Sequence, residues 1–168
     1  MEISREEQNP LIPCVKDGKT RVKFPEDMAF VLCLKACSRE RNAEKGTKIY
    51  YEIIKRGLLM KNVAIGNTLI HMYAKCGSLA KAQHVFDEIP IRNVVSWTAL
   101  IAGYAQFGLS EASVKCFEEM KCEGLHPNEV TFACTLKACG SIGAIEKGKE
   151  IHSEIVKEGI SQKNDILG

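Results

Sequence analysis

A chain of 168 residues with a net charge of +2 and a 45% apolar share has room for one domain or one solenoid segment. So mild a charge is no signature of a nucleic-acid partner, and no run approaches the roughly 18 apolar residues that a membrane span needs. The eight cysteines include no CxxC pair, which argues against a structural zinc site. Several stand in apolar stripes, the pattern of small buried hydrophobes and of thiols kept reduced rather than of a disulfide framework.

Residues 1–26 carry breakers at Asn9-Pro10, Pro13, Asp17-Gly18 and Pro25, so an irregular N-terminal segment is expected. Glu2, Glu6 and Glu7 argue against a transit peptide, which is poor in acids. Lys16, Lys19, Arg21 and Lys23 read better as a solvated loop than as the remnant of one.

From Asp27 onward the period is helical. Residues 27–62 form a 36-residue unit, with helices expected from about Met28 to Ser38 and from about Ala43 to Arg56. Residues 63–93 form a 31-residue unit. Ile65, Leu69 and Tyr73 make its first stripe, and Leu79, Ala82, Val85, Phe86 and Ile89 its second. Lys75-Cys76-Gly77-Ser78 is its turn, and Asp87-Glu88-Ile89-Pro90 ends it abruptly. Residues 94–128 form a 35-residue unit in which Trp97, Leu100, Ile101, Tyr104 and Ala105 recur at helical spacing. Phe107-Gly108-Leu109 breaks the pattern, and Ser110 is the expected N-cap of a second helix bearing Ala112, Cys116, Phe117 and Met120. Residues 129–164 are again 36 long, and residues 165–168 read as the start of a truncated short unit.

The two outer units align at a spacing of about 102 residues: Phe30 with Phe132, Leu34 to Cys37 with Leu136 to Cys139, and Glu44 to Gly46 with Glu146 to Gly148. Repetition of Gly46 and Gly148 at one helix register predicts close packing there. Short amphipathic hairpins cannot bury their stripes alone, so stacking into an all-α solenoid of about eight helices in four pairs follows.

The motifs Leu69 to Pro90, Val94 to Gly108 and Thr131 to Gly159 resemble plant pentatricopeptide repeat proteins of the class that mixes long, short and standard repeats. The resemblance implies a right-handed superhelix and a sequence-specific single-stranded RNA-binding role in organelle RNA processing or C-to-U editing. The chain would be the specificity module and not the catalyst, working with other processing or editing factors. A mitochondrial or chloroplast location is expected from the family, though no transit peptide is evident here.

By the same resemblance, the fifth and last residues of each unit read a base. These are Asn67 with Asn93 and Thr98 with Asn128. Val31 with Asn62 and Ala133 with Asn164 are weaker, since Val31 and Ala133 have no hydrogen-bonding group. The second residues, Met28, Ala64, Val95 and Val130, would pack against base faces. Lys35, Arg39, Lys75 and Lys137 are candidates for phosphate, with a solvated helix face as the plain alternative. The asparagines have a structural reading too, because Asn closes each unit where a helix N-cap belongs.

A protein-interaction solenoid like the tetratricopeptide arrays is the alternative function, and the mixed 36, 31 and 35 period weighs against it. His152-Ser153-Glu154 matches half of a zinc deaminase motif, but no PCxxC follows and the triplet lies inside a repeat helix. His71 and His84 fall on helix faces, and no GxSxG or Walker loop occurs. No enzyme activity, cofactor or metal is expected.

Overall fold

The computed structural model describes residues 16–17, 20–21, 25–157 and 159. Within them eight helices follow one another: α1 (Glu26–Glu40), α2 (Ala43–Lys55), α3 (Val63–Lys75), α4 (Leu79–Glu88), α5 (Val94–Gln106), α6 (Ser110–Cys122), α7 (Glu129–Ile142) and α8 (Ile145–Lys157). Odd-numbered helices pack on odd ones, α1 on α3, α3 on α5 and α5 on α7, while each also packs on the even-numbered helix that follows it. The result is a two-layered stack of helix hairpins, an α-solenoid. None of these helices is long and apolar enough to cross a membrane. Two short strands, β1 (Lys16–Asp17) and β2 (Thr20–Arg21), pair antiparallel before the stack. The other residues before Pro25, where an irregular segment is expected, lie outside the described residues.

Local chemistry explains the helix ends. Pro25 starts α1, its carbonyl accepting the Met28 N–H at 2.9 Å, and Glu26 and Asp27 complement the positive end of the helix dipole. This starts the helix two residues before the expected Met28 and helps carry it to Glu40. Asn62, Asn93 and Asn128 cap α3, α5 and α7 through their side-chain oxygens. Ser110 does not cap α6. It is the first residue of that helix and is buried, while Leu109 stands at the cap without a side-chain bond. The backbone turns between paired helices pass through positive φ at Gly77 (75°) and Gly108 (78°), a region glycine enters without a Cβ clash.

The core is one continuous seam. Phe30, Leu34, Ile49 and Ile53 fill its beginning, Ile65, Leu69 and Tyr73 its middle, and Leu100, Phe117 and Phe132 its later part. Hydrogen bonds tie the pairs together: Tyr73 to Thr47 at 3.1 Å, Tyr104 to Gln83 at 2.8 Å and Tyr50 to Glu88 at 2.6 Å. Trp97 meets Phe86 edge-on, with centroids 4.6 Å apart, and its indole N–H donates to Glu123 at 3.1 Å. Four of the seven described cysteines, Cys33, Cys37, Cys116 and Cys139, are buried. Burial raises their thiol pKa values, that of Cys116 to about 12 with Glu119 adding to the effect. Such a thiol carries almost no nucleophilic thiolate at neutral pH.

Candidate functional site

The odd-numbered helices share a face, and along it runs a groove of about 800 Å³. Its lining comes from α1, α3, α5 and α7 with the cap residue Asn128, as expected of the first helix of each unit. Asn67, Thr98 and Asn128 stand on its wall, with the exposed apolar side chains of Val95 and Val130 beside them. Lys35, Arg39 and Lys75 line the same groove, together with His71. No carboxylate is among the lining residues, and none of these three cations has an acidic partner among the described residues. Burial pushes the His71 imidazole below its ordinary pKa, and Lys75 and Lys35 push it further. The groove therefore combines fixed positive charge, apolar patches and amide groups, a combination suited to an anionic chain carrying flat apolar rings.

The predicted pairs are brought together in two units. Asn67 Nδ2 donates to Asn93 Oδ1 at 3.3 Å, and Asn128 Nδ2 donates to Thr98 Oγ1 at 3.3 Å. Asn93 does not line the groove itself but is bonded to Asn67, which does. In the first unit the predicted pair does not form. Val31 is half-buried and packs on the core, and Asn62 Nδ2 donates to Asp27 Oδ2 at 2.8 Å instead. Ala133 is exposed but does not line the groove, and Asn164 lies outside the described residues. Of the base-packing candidates, Met28 and Ala64 are exposed and not in the lining, and of the cations only Lys137 is absent from it.

The capping reading of the asparagines holds at Asn62, Asn93 and Asn128. Asn128 Oδ1 accepts the Thr131 N–H at 2.9 Å, and Asn93 Oδ1 accepts from Val95 N at 3.0 Å and Ser96 N at 3.1 Å. The N-cap fixes the oxygen of each amide toward the helix, so the NH₂ must face away from it. Sequence reasoning missed Ser96, Thr131 and Asp27. A hydroxyl three places after Asn, in Asn93 to Ser96 and Asn128 to Thr131, was the available signal, since a polar residue there completes a cap.

Comparison with known proteins decides the family. A model described as "PPR repeat family" matches residues 92–141, and one described as "PPR repeat" matches residues 29–58 and 67–94. The chain belongs to the pentatricopeptide repeat family. Among similar Arabidopsis thaliana pentatricopeptide repeat-containing proteins, a chloroplastic one is 38% identical over 145 residues, 86% of this chain and 23% of the relative. A mitochondrial one is 40% identical over 138 residues, 82% of this chain and 18% of the relative. This pentatricopeptide repeat chain thus spans about a fifth of the length of the relatives it matches. Among solved structures, the pentatricopeptide repeat protein PPR10 in complex with an 18-nt psaJ RNA element superposes with a TM-score of 0.69. That match is at 24% identity over 83% of this chain and 21% of the other, and it establishes the solenoid fold.

Proposed function

We propose that this segment binds single-stranded RNA and serves as a specificity module for organelle RNA processing or C-to-U editing, in company with other processing factors. The observation that carries the proposal is the groove itself: three cations with no acidic partner among the described residues, no carboxylate in the lining, and on one wall the amides of Asn67 and Asn128, from two successive units. A relative of the same fold has been solved with an RNA element, which supports the same partner class. Relatives carrying chloroplastic and mitochondrial designations support an organelle setting. The four units would be residues 27–62, 63–93, 94–128 and 129–164, each closed by an asparagine.

RNA runs parallel to the chain in this proposal, so Asn67 and Asn93 read the base 5′ to the one read by Thr98 and Asn128. Asn67 selects a pyrimidine and Thr98 a purine. The NH₂ of Asn128 then donates to adenine N1, which makes the preferred dinucleotide C or U followed by A. The first unit is silent because Val31, at its fifth position, offers a base no hydrogen-bonding group. With two complete pairs, binding is weak and falls steeply with salt.

The test replaces Asn128 by Asp, which offers only acceptors, and measures binding of short single-stranded RNAs by fluorescence anisotropy at low ionic strength. Preference should move from adenine toward guanine, whose N1–H and N2–H are donors. An unchanged preference, or no RNA binding by the wild-type chain, sinks the proposal.

A further inference from the structure

An asparagine amide has both an acceptor and donors, so left to itself it suits base edges of either polarity. Its neighbours remove that ambiguity here. Asn128 Oδ1 faces the Thr131 N–H and the Thr131 hydroxyl, each at 2.9 Å, so both of its lone pairs meet a donor. The Thr98 and Thr131 hydroxyls lie 2.8 Å apart. The Thr98 hydroxyl has its own acceptor in the Val94 carbonyl, 2.6 Å away, so the single Thr131 proton is shared between Asn128 Oδ1 and Thr98 Oγ1. Asn128 Nδ2 donates to Thr98 at 3.3 Å. Thr131 is fully buried, so water does not reach its hydroxyl to replace it. What Asn128 has left to offer is a single N–H.

The unit before reaches the same end with other donors. Asn93 Oδ1 accepts from Val95 N, Ser96 N and Asn67 Nδ2, so N–H groups alone occupy it, and the fully buried Ser96 hydroxyl adds a contact at 3.1 Å. That hydroxyl shares its proton between Asn93 Oδ1 and the Asn93 carbonyl at 3.0 Å, while accepting the Asn93 N–H at 2.8 Å. The first unit lacks the device. Ile65 stands three places after Asn62, among the described residues Asn62 Oδ1 accepts only from Ala64 N at 2.9 Å, and one amide N–H goes to Asp27.

We infer that Thr131, on the helix that follows the asparagine it serves, is a positioning residue for base choice: its buried hydroxyl occupies the amide oxygen and makes Asn128 a donor-only reader, as three N–H groups do for Asn93. The inference rests on the RNA-reading proposal above. It sharpens that proposal at the 5′ base, where a donor-only Asn93 prefers cytosine, with an acceptor at N3, over uracil, with a donor there. It also places part of the third unit's specificity in the fourth, so exchanging units singly would carry only part of a code.

The test uses the whole chain at low ionic strength with single-stranded RNAs that differ at one base. Thr131→Val keeps the shape of the side chain and removes its hydroxyl, reopening one lone pair of Asn128. The adenine-to-guanine affinity ratio should then fall by about tenfold, and Thr131→Ser should restore it. Ser96→Ala is the contrast: Asn93 Oδ1 keeps three N–H donors, so the cytosine-to-uracil ratio should stay as it is. Thr131→Ala, which also removes the hydroxyl, decides the matter should Thr131→Val fail to fold by circular dichroism. A merely structural role would lower affinity for every base alike and leave the adenine-to-guanine ratio unmoved, and that result overturns the inference. If Asn128→Asp shifts the preference while the Thr131 variants do not, the inference fails and the RNA reading stands. If none of the variants shifts it, both fail.

Discussion

Residues Glu44 to Gly46 in α2 and Glu146 to Gly148 in α8 are the same three letters at the same register, yet they sit in different surroundings. At Gly46, which is buried, a Cβ would come within 2.6 Å of Met72 Sδ on α3. At Gly148 the nearest such atom is Cys139 Cβ at 3.9 Å, within its own hairpin. Leu34 is fully buried, and its counterpart Leu136 is half-buried on the open face of α7 and α8. One sequence pattern thus yields two levels of burial, because in a solenoid the neighbouring hairpin supplies half of each core. Stability in this chain belongs to junctions between units more than to the units.

The comparison breaks most visibly at the leucines. Leu34→Ala opens a cavity in a closed core and should cost about 2–5 kcal/mol, while Leu136→Ala, partly exposed already, should cost less. Urea unfolding of the two variants measures this, and equal losses would mean that the two ends are equally supported. The glycines give a smaller contrast. Gly148→Ala should stabilise by up to about 1 kcal/mol through helix propensity, since the added methyl meets nothing closer than van der Waals contact. Gly46→Ala should lose that gain to the displacement of Met72, and thermal midpoints showing the same increase for both would refute the packing role of Gly46. The smallest effect is on pH. His71, beside Lys35 on α1 and Lys75 on its own helix, with Arg39 in the same groove, has a lowered pKa in the folded chain. The unfolded chain therefore binds that proton more readily, so stability is held above the ordinary histidine value of about 6.5 and declines as pH falls through it. Hydrogen exchange in α3 at pH 7.5 and pH 5.5 should show the decline, and His71→Gln should remove its pH-dependent part.

What the sequence revealed of this molecule was whatever repeats within a helix. The stripes of Ile65, Leu69 and Tyr73, or of Trp97, Leu100 and Ile101, have the helical period and are buried as that period demands. Asn93 and Asn128 were legible twice over, as caps and as partners of Asn67 and Thr98. Junctions were less legible. Ser110 looks like a cap, but burial against its neighbours draws it into α6 and leaves Leu109 outside. Nothing local says that Asn62 will turn to Asp27, 35 positions earlier, or that Thr131 will meet Thr98, 33 positions before it. Those contacts exist only once units are stacked. Gly148 shows the converse: the pattern that calls for close packing is present, and among the described residues no neighbour packs against it.

Trp97 is the chain's single tryptophan, and its place at the junction of α4 and α5, edge-on to Phe86 and bonded to Glu123, makes it a built-in optical gauge. Its emission reports the seam between the second and third units and little else. Loosening at either outer hairpin would pass unseen by fluorescence while circular dichroism already registers lost helix. A gap between the two signals on heating would trace, from one indole ring, the order in which the stack comes apart.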